Sequence, residues 1–123
     1  MKILIVVDSN FSQKVIASYV SKYITQAVII SACNGEEGLK IYKEEKPDYL
    51  LTDLLMPKMG GQELIHRVKD FDTKAKIIVI SADVQNNVRE EMESCQILAF
   101  ISKPFTEEKG KIIGNIIREN ING

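Results

Sequence analysis

Five short apolar runs punctuate the chain, at residues 3–7, 27–30, 49–51, 77–80 and 97–101. Most are continuous rather than alternating, the pattern of strands covered on both faces. Between them, apolar residues recur at helical spacing. Val15, Ile16, Tyr19, Val20 and Tyr23 form one stripe, Leu64, Ile65 and Val68 another, and Val84, Val88 and Met92 a third. Residues 35–46 carry a thinner stripe, Leu39 and Tyr42, and Pro47 stops that helix before the next strand. A last helix is predicted over 106–120, with Ile112, Ile113, Ile116, Ile117 and then Ile121. Its Gly110 and Gly114 each cost about 1 kcal/mol against alanine, so packing must hold it.

Strands alternating with helices, joined by right-handed crossovers, predict an α/β domain: a doubly wound (βα)5 unit with a five-stranded parallel sheet and helices on both faces. The working site of such a sheet lies beyond the carboxyl ends of its strands, near the point where strand order reverses. No internal repeat, low-complexity tract or linker interrupts residues 1–123, so the expectation is one domain with no attached output or DNA-binding domain.

A chain of 123 residues can bury one sizeable core, and 45% hydrophobic with 27% charged residues is an ordinary globular composition. The formal net charge of -1 gives no reason to expect a nucleic-acid partner. Cys33 and Cys95 are isolated thiols without CxxC spacing, expected to be reduced. The amino-terminal apolar run is too short for a secretion signal, and no stretch approaches the roughly 20 apolar residues of a membrane span. The expectation is a cytoplasmic, monomeric protein that does not engage membranes.

The chemistry-bearing residues sit at predicted strand ends: Asp8 after the first, Asp53 in "YLLTDLLMPKMGG", Ser81 in "IIVISAD" and Lys103 in "FISKPF". A parallel sheet gathers all four on one rim. Two carboxylates brought together repel unless a cation sits between them, and Mg²⁺ characteristically takes one or two carboxylates, several waters and a phosphate oxygen. Lys103 adds a mobile charge suited to a phosphoryl oxygen, and Ser81 a short hydroxyl donor. Taken singly, Asp8 reads as a helix cap, Ser81 as a turn residue and Lys103 as a solvated lysine; their shared location favours a site. Lys103-Pro104 is a candidate cis bond. Other chemistries lack their motifs: there is no GxxxxGK[ST], GxGxxG or GxSxG, and one histidine with two scattered cysteines does not suggest zinc. His66, in "ELIHRVK", reads as a partly exposed structural residue.

With that ordered set of acid, "D..MP.MGG", "SA" and "KPF", essentially the whole chain resembles the receiver domain of bacterial two-component response regulators, especially the stand-alone CheY-like type. The resemblance implies the strand order 2-1-3-4-5. It makes Asp53 the acceptor of a phosphoryl group from a histidine kinase or phosphotransfer protein, with Asp8, Asp53 and the backbone carbonyl of Leu55 as Mg²⁺ ligands. It makes Ser81 and Lys103 the partners of the phosphoryl group, and Phe100 an aromatic switch on a partner surface formed by the fourth helix, fifth strand and fifth helix. The resemblance also puts Leu55 and Asp83 at positions that in the family tend to influence dephosphorylation. Such a protein is a phosphoacceptor assisting its own reactions rather than an enzyme.

Three positions depart from that pattern. Val7 stands where an acid usually precedes Asp8, Gly60 stands where a helix cap is usual, and Phe100 replaces the commoner tyrosine. Losing an acid that holds Mg²⁺ through water commonly costs about 10- to 100-fold in affinity, so Val7 predicts a weakened rather than an abolished site. The alternative function is a pseudo-receiver, an interaction module of the same fold that takes little or no phosphate because of Val7. A phosphatase reading fails because "DLL" lacks a second acid, and an FMN-binding reading because no Ser/Thr/Gly-rich loop follows the first strand.

Overall fold

The computed structural model describes residues 1–82 and 85–122, the last two without their side chains. Three positions named above, Asp83, Val84 and the side chain of Ile121, lie outside the described residues. The elements run β1 (Lys2–Val6), α1 (Asn10–Tyr23), β2 (Val28–Ala32), α2 (Gly35–Glu45), β3 (Tyr49–Thr52), α3 (Gly61–Phe71), β4 (Ile77–Ser81), α4 (Asn86–Ser94), β5 (Ala99–Ser102) and α5 (Glu107–Asn122). All four strand pairings are parallel, in the order β2-β1-β3-β4-β5. The doubly wound expectation and its strand order therefore hold.

The continuous apolar runs become strands with a helix layer on each side. Ile3, Ile5, Leu51, Ile78 and Ile80 face Ile16 and Val20 of α1 and Ile113 and Ile117 of α5. Leu4, Val6, Leu50, Ile77 and Val79 face Tyr42 of α2, Leu64, Ile65 and Val68 of α3, and Met92 of α4. Successive side chains of a strand point to opposite faces, so an unbroken run of apolar residues supplies both cores at once.

The glycines of α5 have a specific use. A Cβ on Gly110 would lie 2.7 Å from Tyr19 Cβ, and one on Gly114 would lie 2.8 Å from Tyr23 Cβ. The helix propensity they sacrifice is exchanged for close approach to α1, and Lys22 and Tyr23 of α1 then reach the Glu107 carboxylate.

Two strands move furthest from their predicted limits, each by two residues at one end. β2 begins at Val28 and continues through Ser31 and Ala32, paired with Ile5 and Val6 of β1. It is an edge strand, and Val28 is 57% exposed, so apolarity does not mark its limits. β5 begins only at Ala99. Ile97 and Leu98 are packed loop residues following Gln96 with φ 62, and the Leu98 N–H still donates to the Ile77 carbonyl at 2.8 Å.

Candidate functional site

The parallel register brings the four strand-end residues to one rim. The Asp53 N–H donates to the Val6 carbonyl at 3.0 Å, locking the end of β3 beside that of β1. The Val7 N–H extends the ladder on the other side by donating to the Ala32 carbonyl at 3.1 Å, and the exposed Asp8 follows. Asp8 is not the cap of α1. Ser9 fills that place, its Oγ accepting from the Ser12 N–H at 3.2 Å, which leaves the Asp8 carboxylate outside the capping bond.

Asp53 is 5% exposed, and each carboxylate oxygen has its own partners. Oδ1 accepts from the Leu54 N–H at 2.7 Å and from the Leu55 N–H at 3.4 Å, whereas Oδ2 lies 2.5 Å from Lys103 Nζ. The Leu55 side chain is 73% exposed in the turn that follows β3. Gly61 shapes that turn: its N–H donates to the Leu54 carbonyl at 2.9 Å, and a Cβ there would lie 2.0 Å from the Asp53 carbonyl oxygen. Only a residue without a side chain lets the start of α3 approach so closely. Gly60 is the N-cap of α3 without a side-chain bond, as its sequence position implies.

Ser81 closes β4. It is 1% exposed, and its Oγ has no hydrogen-bond partner among the described residues. Buried hydroxyls are normally satisfied, so this one is a donor available to an oxygen brought to the rim. Lys103 is tied alongside, its N–H donating to the Ser81 carbonyl at 2.9 Å, and the Lys103-Pro104 peptide is cis.

Val7, the last residue of the first apolar run, is 1% exposed and packs with Ile3, Ile5, Ile16 and Val20 in the α1/α5 core. The alternation of β1 carries past its last paired residue. Phe100, on β5, packs partly buried against the other core, with the Arg89 guanidinium 5.4 Å from its ring centre.

Three supporting residues escape a sequence reading. Gln13 Nε2 donates to the Val7 carbonyl at 2.7 Å and the Ala32 carbonyl at 3.0 Å, holding the chain that leads into Asp8. Thr52, fully buried, donates from Oγ1 to the Asp53 carbonyl at 2.8 Å. Lys109 Nζ donates to the carbonyls of Ser102 at 2.5 Å and Pro104 at 2.9 Å, bracing the residues on either side of Lys103. Gln13 and Lys109 look like ordinary polar helix residues in sequence. Thr52 had one signal: a polar residue closing an otherwise apolar strand.

Among the described residues no cluster of three or more acidic, histidine or cysteine side chains could hold a metal. The rim offers two carboxylates, Asp8 and Asp53. Such a donor set fits Mg²⁺, which keeps much of its water and takes few protein ligands, and does not fit an ion that needs an all-protein cage. Beside Lys103, a cavity of about 240 Å³ lies between α1 and the loop after β5, bordered by Phe11, which is 77% exposed. No described helix is long and apolar enough to cross a membrane.

Residues 3–113 match the model of the response regulator receiver domain. The chain is 36% identical over 104 residues to the chemotaxis protein CheY of Thermotoga maritima, a match covering 85% of this chain and 86% of that protein. It is 31% identical over 108 residues to a probable C4-dicarboxylate response regulator, DctR, of Bacillus subtilis, covering 88% of this chain but 48% of that protein. Among solved structures, a chain of the CheX-CheY-BeF3-Mg complex from Borrelia burgdorferi superposes with a TM-score of 0.87 at 27% identity, covering 98% of this chain and 89% of that one.

Proposed function

This chain belongs to the response regulator receiver domain family, and from that premise we propose that Asp53 accepts a phosphoryl group from a histidine kinase or phosphotransfer protein in an Mg²⁺-dependent reaction. One observation carries the reading. A buried carboxylate paired with Lys103 shares its rim with a buried serine hydroxyl that has no partner among the described residues. A structural ion pair needs no such donor, whereas an incoming oxyanion does.

In this reading an Asp53 carboxylate oxygen attacks phosphorus, the phosphorus–nitrogen bond of the phosphohistidine breaks, and an acyl phosphate forms. The protein's part is positioning and charge neutralisation, as phosphoryl transfer generally requires. Lys103 starts on Asp53 Oδ2 and can follow the new negative charge onto a phosphoryl oxygen. Ser81 Oγ donates to another. Asp8, Asp53 and the Leu55 carbonyl would hold Mg²⁺. When bound, the ion neutralises the carboxylates and the transferring phosphoryl oxygens. The BeF3 and Mg of the Borrelia complex belong to that protein and support the same chemistry here only by likeness.

Phosphorylation adds a charge of about -2, which biases a two-state surface. Phe100, half-buried beside Arg89 of α4, would be the residue that responds, and a protein target would read the surface of α4, β5 and α5. The exposed Phe11 beside Lys103 suits approach by another protein to the rim. The pseudo-receiver reading draws on Val7, whose burial removes any rim contribution from that position. Retention of Asp8, Asp53, Ser81 and Lys103 favours the acceptor.

Incubation with acetyl phosphate and Mg²⁺, followed by peptide mass spectrometry, tests it. Label is expected on Asp53 and on no peptide of the Asp53→Asn variant. Equal labelling of both proteins would overturn the assignment.

A further inference from the structure

A second cluster of reactive side chains spans α3 and α4, which carry none of the rim residues. Glu91 Oε1 lies 2.9 Å from His66 Nε2, and Glu91 Oε2 accepts from Gln62 Nε2 at 3.2 Å. The His66 ring turns its other nitrogen, Nδ1, to Cys95 Sγ at 3.7 Å. Gln62 and His66 are one helical turn apart on α3, as are Glu91 and Cys95 at the end of α4, so the two pairs face each other across the seam.

The chemistry fixes the tautomer. A carboxylate only accepts, so the neutral imidazole carries its proton on Nε2 and leaves a lone pair on Nδ1, aimed at the thiol. The His66 hydrogen bond, chiefly, lowers the Glu91 carboxyl from its ordinary value. Of the other charged groups, Arg67 pairs with Glu63 and Arg89 with Glu93, whereas Lys69 Nζ donates to the carbonyls of Ala75 and of Gln96, the residue after Cys95. A nucleophile, a base within reach of it and an orienting group behind the base form the pattern of an activated nucleophile.

We propose that Cys95 is a thiol-modification site, with His66 as its base and Glu91 as the residue that positions that base, taking small-molecule disulfides as its class of reactant. The inference does not rest on phosphorylation of Asp53. The Cys95 proton passes to His66 Nδ1, and the thiolate attacks one sulfur of the disulfide. The reactant's S–S bond breaks, a mixed disulfide forms on Cys95, and the departing thiolate takes the proton from the imidazolium. Cys95 is oxidised and the departing half of the reactant is reduced to a thiol. The carboxyl end of α4 opposes an anion at Cys95, and the adjacent imidazolium offsets it. A group attached there would part His66 from Cys95 and wedge the α3–α4 seam, on the helix whose Arg89 covers Phe100.

The chain contains its own reference thiol. Cys33 is exposed, and its polar neighbours are the Gln13 amide at 3.5 Å and Asn10 Oδ1 at 3.9 Å, neither of which is a base. Iodoacetamide labelling of the whole chain, quantified peptide by peptide, compares the two within one molecule. Although Cys95 is the less exposed, it is expected to react about tenfold faster than Cys33 near pH 7, because His66 Nδ1 lies within reach of its proton. His66→Gln should bring the ratio to one or below, and Glu91→Gln should lower it in part. Incubation with glutathione disulfide should place the mixed disulfide on Cys95 first. Because unfolding would also bring the ratio towards one, but by speeding Cys33, the Cys33 rate is followed alongside it: a lower ratio with Cys33 labelling unchanged reports loss of activation at Cys95. Labelling of Cys33 as fast as Cys95 in the wild type, or a ratio untouched by His66→Gln, would overturn the proposal.

Discussion

Lys103 Nζ lies 2.5 Å from Asp53 Oδ2, pairing a partly exposed lysine with a nearly buried acid. Lys103→Ala would leave the carboxylate with the Leu54 and Leu55 N–H groups but no cation. We expect a loss of about 1–3 kcal/mol of stability, and an initial acetyl-phosphate labelling rate about 100-fold lower. Adding Asp53→Asn to Lys103→Ala should restore most of the stability, since the uncompensated charge is gone. Urea unfolding of the single and double variants measures this directly; a double variant no more stable than Lys103→Ala would contradict the pairing.

Val7→Asp tests what the missing acid would do. The side chain sits in the α1/α5 core, so without metal the variant must bury a carboxylate or swing it to the rim, either of which costs stability. With Mg²⁺ the added acid gains a partner. The expected outcome is a melting temperature below wild type in chelator, together with a larger upward shift on adding Mg²⁺. An equal Mg²⁺ shift in the two proteins would show that position 7 cannot reach the metal.

Alkaline pH reports on the core between α2 and α3. Burial first, and then the Asp72 carboxylate accepting its hydroxyl at 3.1 Å, push the Tyr42 phenol well above its usual range. The folded protein therefore holds this proton after the unfolded chain has released it. That contribution is complete below about pH 10 and is lost as pH rises from there towards the folded value. Tyr42→Phe should cost about 1 kcal/mol at neutral pH by removing the hydrogen bond, and should flatten the fall in stability above about pH 10. Chemical denaturation across pH checks both limbs.

The fold was legible because both-face burial writes itself as unbroken apolar runs, as in Ile3–Ile5 and Ile77–Ile80, and because Pro47 and the Gly60–Gly61 pair punctuate it. Strand limits were less legible. Apolarity marks burial rather than pairing, which misplaces Ile97 and Leu98 into β5 and leaves Ser31 and Ala32 out of β2. At the site, the rim residues follow from the parallel topology, and so do their neighbours in space. The direction of a side chain does not: Val7 occupies a rim position in sequence but turns into the core. Gln13 and Lys109 act through their reach to backbone carbonyls, for which a single sequence carries no mark.

The central claim is that Asp53 accepts phosphate at a rim with one supporting acid, Asp8, in place of two. A titration of Mg²⁺ against acetyl-phosphate labelling of Asp53 tests it most directly. Label on Asp53 is expected to require Mg²⁺, with a half-maximal concentration about 10- to 100-fold above that of a receiver with both acids. Absence of label on Asp53 even at high Mg²⁺, or labelling indifferent to the metal, would contradict it.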